Sequence, residues 1–346
     1  MCGIAGFCAN PNDPYFSERG MGLAPFLASE LLYQSSARGT DACGWSWIDE
    51  SVGKIRTWKR NVSPGTVLDK YYHRFPEYTP AMILHTRFAT QGTAKNPDNN
   101  HPIKHGRVVG VHNGMICNDD HLFRKFHLNR RAEVDSEAIF AMLGRGKDKS
   151  ATLSDTLEEI EGSMAIAWMD RVRSMPQIPG GPATIYLARG HQSPLWVGQN
   201  QAGSLVFAST REILVDACED SAFILHWVQE IAQGSILKVS GGVIKEWGVF
   251  KPLAGFTWTQ GGTNRGTRGW TEPIAIGSTA TTRPYDDSFY DSHWDRMAEE
   301  SLSYPSEVGA RQVQDADWWE SQRAKDAADL ALEDWERFQN AMAREH

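Results

Sequence analysis

Apolar residues fall along this chain in two rhythms, and the changes between them mark out its elements. Near the start, Ile4-Ala5-Gly6-Phe7-Cys8 is an unbroken apolar run, the pattern of a short buried strand. The turn-rich stretch from Asn10 to Pro14 ends it. Between Met21 and Ser35, Leu23, Phe26, Leu27, Leu31 and Leu32 are spaced to give a helix one buried face. Gly44 to Ile48 and Lys54 to Trp58 read as two strands joined through Ser51-Val52-Gly53. Thr66 to Phe75 reads as a helix and Ala81 to Thr86 as a central strand. Arg87 to His105 then breaks both rhythms with a long polar loop holding Gly92, Pro97, Pro102 and three asparagines. A structureless loop of that length inside a compact domain is unusual unless it is functional.

Beyond the loop, a strand over Arg107 to His112 is followed by Asn113-Gly114 and by helices over Asp119 to Lys125 and Ser136 to Arg145. Thr152-Leu153-Ser154-Asp155 is a capping box that opens another helix. Four strand-like runs follow: Ser163 to Asp170, Thr184 to Arg189, Leu195 to Gln199 and Ser204 to Ala208. A helix over Arg211 to Cys218 and a pair of strands, Ser235 to Val239 and Val243 to Trp247, complete the pattern. The strands come in blocks instead of alternating with helices, which predicts an α+β fold and not a doubly wound parallel sheet.

The rhythm changes again near Lys251. Up to Arg283 the sequence is rich in Gly, Thr and Trp with little periodicity, as in an irregular linker. From Val313 to Arg344, Ala324, Ala328, Ala331, Trp335, Phe338 and Met342 recur at steps of three and four among charged residues, which predicts an amphipathic helix. The organisation expected is therefore a domain over 1–250, an extension over 251–312 and a C-terminal helix over 313–346.

Composition narrows the class. The hydrophobic fraction of 41% and charged fraction of 23% are those of a soluble globular protein. A net charge of -8 gives no electrostatic case for nucleic acid or an anionic membrane as primary partner. Cys2, Cys8, Cys43, Cys117 and Cys218 are scattered, odd in number and without CxxC spacing. That argues against a disulfide framework or a zinc site and fits a reducing compartment. With no run of membrane-spanning length and no secretory signal, a cytoplasmic location is expected.

Candidate chemistry begins at Cys2. If Met1 is removed, this residue carries both a thiol and a free α-amine, a nucleophile and its base in one residue. By position alone it is an ordinary cysteine next to a start codon, and other blocks carry the argument. His85-Thr86-Arg87-Phe88-Ala89-Thr90-Gln91-Gly92 places an Arg and a Thr just past a buried strand, His112-Asn113-Gly114 follows the next one, and Asp135 stands at a helix start. Singly, these are a surface charge, a turn and an N-cap. Together they meet the needs of a thiol attacking the amide of an amino acid. That reaction needs donors for the oxyanion, a cation for the carboxylate and an anion for the ammonium.

With Met1-Cys2-Gly3-Ile4-Ala5-Gly6, Arg38-Gly39-Thr40-Asp41, Asn99-Asn100-His101-Pro102, Asp135-Ser136-Glu137, Gly162-Ser163-Met164-Ala165, Ala188 to Leu195 and Ala208 to Glu212 in the family's order, the chain resembles the class II glutamine amidotransferase domain. The match is nearest in style to the glutaminase domain of glucosamine-6-phosphate synthase. The resemblance implies the N-terminal-nucleophile (Ntn) hydrolase fold, a four-layer αββα sandwich with mostly antiparallel sheets. It implies Cys2 as nucleophile with its α-amine as base, and Asn113 and Gly114 as the oxyanion hole. Arg87 and Thr90 would hold the α-carboxylate and Asp135 the α-ammonium of L-glutamine, with Phe88 and His101 completing the substrate site. The loop from Arg87 onward would close over glutamine, and neither cofactor nor metal is called for.

Three departures from the family pattern are Phe88 where Trp is common, Gln91 in place of a frequent His, and Ala42-Cys43 after Asp41. His73, His121, His127 and His226 show no ligand spacing and read as structural or surface residues. The stretch after Lys251 is too short for two sugar-isomerase domains and has neither a P-loop nor a pyrophosphate-binding signature. A separate ammonia-accepting synthase is therefore the expected partner, with homo-oligomerisation open. Two alternatives stand beside this reading. One is an Ntn hydrolase of another γ-glutamyl or small amide; the other is an inactive regulatory or scaffolding module.

Overall fold

The strand that begins at the candidate nucleophile runs through the middle of the protein. In the computed structural model, which describes residues 2–16, 22–145, 152–178 and 180–254 (backbone alone at 246 and 247), Gly3–Cys8 forms β1 and every one of its residues is buried. β1 pairs antiparallel with β4 (Ala81–Arg87) on one side and with β10 (Leu205–Ala208) on the other. Outward from that trio lie β2 (Ala42–Asp49) and β3 (Lys54–Arg60) at one edge. At the other edge lie β9 (Trp196–Asn200) and β11 (Leu225–Glu230), giving a seven-stranded sheet ordered β11-β9-β10-β1-β4-β2-β3.

A second, six-stranded sheet is ordered β13-β12-β8-β7-β6-β5. Its strands are β5 (Ile103–His105), β6 (Val108–Ile116), β7 (Gly162–Asp170), β8 (Thr184–Arg189), β12 (Ser235–Ser240) and β13 (Val243–Val249). Every strand pairing within the two sheets is antiparallel.

Side-chain alternation along β1 shows why the run is apolar throughout. Ile4 and Cys8 point between the sheets, where they join Ile83, Val109, Val111, Ala165, Ala167 and Leu187 in a shared core. Ala5 and Phe7 point the other way, into a layer built by α1 (Ala24–Gln34) and α6 (Arg211–Asp220). With both faces covered, no position is left for the polar half of an alternating pattern. The second sheet is likewise covered on its outer face. There Val108, Ile166 and Trp168 pack with residues of α3 (Asp119–Lys125), α4 (Ser136–Gly144) and α5 (Leu153–Glu158). The short α2 (Pro64–Lys70) adds Val67 to the first layer. The result is the α, β, β, α order expected for the Ntn-hydrolase sandwich.

Most elements lie where the sequence predicts them, and the Thr152 capping box is formed on both sides. Three corrections follow from contacts distant in sequence. Asn113 and Gly114 lie within β6, not beyond it, because they pair with Ala165 and Met164 of β7. β11 is an additional strand. The loop after Arg87 is not structureless: it contains a 3-10 turn over Pro97–Asn99 and then β5. The amphipathic helix expected over 313–346, and the extension before it from residue 255, lie outside the described residues. No helix among the described residues is long and apolar enough to cross a membrane.

Candidate active site

Cys2 sits at the N-terminal end of β1, half-buried, where the ends of β4 and β6 come together. Two sets of contacts fix it. Its carbonyl oxygen accepts from Arg38 Nε at 2.9 Å. The Asn113 amide is oriented by its neighbours so that Nδ2 also donates to that carbonyl at 2.9 Å, while its oxygen accepts from Arg38 Nη2 at 3.3 Å. An Asn amide has two N–H donors, so one of them is left over after the bond to Cys2. The thiol lies against the backbone of Phe88: the Phe88 N–H reaches Sγ at 3.4 Å, and Sγ is 3.6 Å from the Phe88 carbonyl. Burial pushes the Cys2 thiol above its ordinary range, against the pull of the Phe88 N–H and of the positive charges of Arg87 and Arg38. Such a thiol is not a ready-made thiolate and needs a base.

Gly114, the next residue along β6, is exposed and has φ +148°. A Cβ there would lie 2.0 Å from the Ser163 carbonyl oxygen and 2.7 Å from His112 Nε2. Only glycine fits, and the adjoining chain stays flush with β7.

Arg87 ends β4 and is 3% exposed. Its Nη1 donates to Asn100 Oδ1 at 2.7 Å, and its Nη2 donates to the carbonyls of Gln91 at 2.6 Å and Gly92 at 2.8 Å. Three of its five N–H groups are thus spent on its own loop, leaving two for anything else. Burial lowers its pKa, while the nearby Cys2, Asp41, Asp135 and Glu133 act to hold its proton. Arg87 thereby stands within electrostatic reach of both the candidate nucleophile and the candidate ammonium ligand. Thr90 and Phe88 are exposed on the loop that Arg87 organises.

Asp135 is 9% exposed and caps α4. Its Oδ1 accepts from Ser136 N at 2.8 Å and its Oδ2 from Ile116 N at 2.6 Å, which joins the helix start to the end of β6. Below it, Ser136 Oγ lies 2.8 Å from His112 Nδ1, and His112 Nε2 lies 3.3 Å from the Ser163 carbonyl.

His101 is 4% exposed, and its ring stacks on that of His85 with centroids 4.0 Å apart. Like Arg87 and Asp135, it is largely withdrawn from solvent. His85 Nε2 lies 3.2 Å from the His112 carbonyl, so this histidine pair backs the strand that carries Asn113. Burial lowers the pKa of all three, that of His85 to about 3, which leaves them neutral at physiological pH. The sequence offered no periodic signal for this group, since its members come from two strands and a loop.

Two further residues of the Arg38-Gly39-Thr40-Asp41 block act here. Arg38 holds the Cys2 carbonyl, and Asp41 Oδ2 accepts from Ala89 N at 2.7 Å, bracing the chain just after Phe88. The sequence marks the block but not these contacts. Among the described residues, no group of three or more His, Cys, Asp or Glu side chains is arranged to hold a metal ion.

The αββα sandwich is shared with a solved structure, the glutamine phosphoribosylpyrophosphate amidotransferase of B. subtilis. It superposes with a TM-score of 0.54 at 18% identity, over 72% of this chain and 49% of that one. The fold is that of the Ntn hydrolases. Residues 85–216 match the glutamine amidotransferase domain family. Similar curated proteins include 7-cyano-7-deazaguanine synthase 2 of Sulfurisphaera tokodaii, 27% identical over 56% of this chain and 40% of that protein. Another is the isomerizing glutamine–fructose-6-phosphate aminotransferase of Gluconobacter oxydans, 32% identical over 48% of this chain and 26% of that protein. The matches thus span less than half the length of these curated relatives. The chain carries a class II glutamine amidotransferase domain.

Proposed function

We propose that this domain hydrolyses L-glutamine to glutamate and ammonia through a γ-glutamyl thioester on Cys2, and that the ammonia passes to a separate synthase. The observation that carries the reading is the fixing of Cys2 at both ends, its carbonyl by Arg38 and Asn113 and its thiol by the Phe88 backbone. Once Met1 is removed, the α-amine of Cys2 takes the thiol proton. An α-amine has a reference pKa of about 7.7–8.0, so a useful fraction is free base at neutral pH. The sulfur attacks the side-chain amide carbon. The oxyanion that forms accepts from the remaining Asn113 N–H and from the Gly114 backbone N–H. The carbon–nitrogen bond then breaks, the α-ammonium returns its proton to the leaving nitrogen, and ammonia departs. Water attacks the thioester to release glutamate and restore the thiol.

Recognition of the amino-acid head falls to Arg87 with Thr90 on the carboxylate side and to Asp135 on the ammonium side. Because three Arg87 donors hold the loop, its two remaining N–H groups and its charge meet the carboxylate. Phe88 flanks the thiol, and His101, stacked on His85, supports the site from behind. The partner reading draws on relatives named as a 7-cyano-7-deazaguanine synthase and as a glutamine–fructose-6-phosphate aminotransferase.

Glutamate release from glutamine, measured for the parent chain and for Cys2→Ala and Cys2→Ser, tests the proposal. Turnover in the parent and its loss in both variants is the expected result. Turnover that survives Cys2→Ala would defeat it.

A further inference from the structure

Four consecutive backbone carbonyls in the loop after β4 are each captured by a side chain. Arg87 takes Gln91 and Gly92, Asn99 Nδ2 takes Thr93 at 3.1 Å, and Asn100 Nδ2 takes Ala94 at 2.7 Å. Arg87 and Asn100 also bond to one another, so the loop is folded onto its own two ends. The Asn99 side chain also reaches beyond the loop. Its Nδ2 also donates to Glu133 Oε2 at 2.7 Å, and its Oδ1 accepts from Glu133 N at 2.8 Å. Asn99 is fully buried, and its amide spends both faces on this double bond and on the loop. Gly92 closes over the pair with φ +68°. A Cβ there would lie 2.6 Å from Asn99 Nδ2 and 3.1 Å from Glu133 Oε2.

Glu133 belongs to the short segment that leads into Asp135. That segment is itself anchored: Glu137 Oε2 accepts from Arg131 N at 2.9 Å and from Ala132 N at 2.7 Å. The chain from 131 to 135 is therefore a stiff bracket, and Asn99 is bolted to its middle.

We propose that Asn99 and Glu133 form a clasp that joins the Arg87 loop to the Asp135 segment, so that the carboxylate and ammonium sides of the amino-acid site are held at one fixed spacing. This rests on the reading of Arg87 and Asp135 as the two ends of the glutamine head. Glu133 is then a positioning residue. It touches neither substrate nor thiol, and its effect falls on binding and not on the chemical step. The hydrogen bond it accepts is charge-assisted, and its loss is expected to weaken glutamine binding about tenfold.

Because Glu133 is exposed, its replacement leaves the core intact. Glutamate release and Cys2 alkylation by iodoacetamide, which has no amino-acid head, are measured on the full chain for the parent, Glu133→Ala, Glu133→Gln and Asn99→Asp. In Glu133→Ala, the KM for glutamine should rise about tenfold, with kcat within about twofold and alkylation unchanged. Glu133→Gln keeps an oxygen acceptor facing Asn99 and should stay within about twofold of the parent. Asn99→Asp sets two carboxylates together and should raise KM at least as far as Glu133→Ala. A KM within about twofold of the parent in Glu133→Ala overturns the clasp, as does a fall in kcat accompanied by slowed alkylation. A parent chain that is alkylated at Cys2 yet never turns over glutamine overturns the functional reading, and the clasp with it. An active parent with an unmoved KM overturns the clasp alone.

Discussion

At the scale of single residues, the proposed mechanism has Asn113 serving two purposes with one amide. One N–H holds the Cys2 carbonyl, and the other is available to the oxyanion. Asn113→Ala is therefore expected to lower kcat by on the order of 10²–10³ while KM changes little, as steady-state kinetics would register. The raised thiol pKa makes a second prediction. With no standing thiolate, the rate depends on the free α-amine. The kcat/KM of the processed chain should rise with pH and level off near the amine's reference value of about 8. A profile that is flat across that range would mean that the amine is not the base.

The residue types of the candidate site stand out in the sequence, because a thiol, an Arg, an Asp and an Asn-Gly pair are unusual together. Their partners do not. Arg38 and Asp41 contact Cys2 and Ala89 from 36 and 48 positions away, and no local pattern encodes a contact of that kind. Arg87 was expected to hold the α-carboxylate, and its commitment to the loop could be seen only once the loop was folded.

At the scale of elements, β6 carries the site because its pairing with β7 continues through Asn113 and Gly114. Gly114→Ala should destabilise the domain by at least about 1–3 kcal/mol for the positive φ alone, and the approach to the Ser163 carbonyl adds to it. Denaturant unfolding would measure the loss. The neutral histidines behind the strand set a pH limit. The folded value of His85, about 3, lies below the free imidazole value of 6.5, so its stabilising contribution is complete above 6.5 and is lost as pH falls toward 3. Each such histidine withdraws up to about 1.4 kcal/mol per pH unit in that window. Tm should therefore fall as pH drops from 7 to about 5, and the slope should be smaller in His85→Gln.

Elements with a rhythm were placed well by the sequence, and those without one were not. β11 escaped notice because it lies at a sheet edge and is half-buried or exposed along its length, with polar His226, Gln229 and Glu230. Its pairing with β9, not its hydrophobicity, makes it a strand. The loop after Arg87 looked structureless because its order comes from amide and guanidinium contacts to carbonyls, which leave no apolar pattern.

At the scale of the whole molecule, the layered sandwich places a thiol at the end of a strand that is buried on both faces. The proposed nucleophile thus sits at the end of a strand packed into a core on each side. The matches span less than half the length of the curated relatives described above, and on the proposed reading the ammonia passes to a separate synthase. Glutamine turnover should rise when a cognate synthase and its acceptor are added. High turnover that no candidate synthase changes would point to a free-standing glutaminase.

The central claim is a thioester on an N-terminal cysteine. Mass spectrometry of the chain after exposure to a glutamine-like electrophile tests it most directly. The account predicts a single adduct on Cys2, formed only in molecules that lack Met1 and suppressed by excess glutamine. An adduct on another residue, or full activity in a chain that retains Met1, would contradict it.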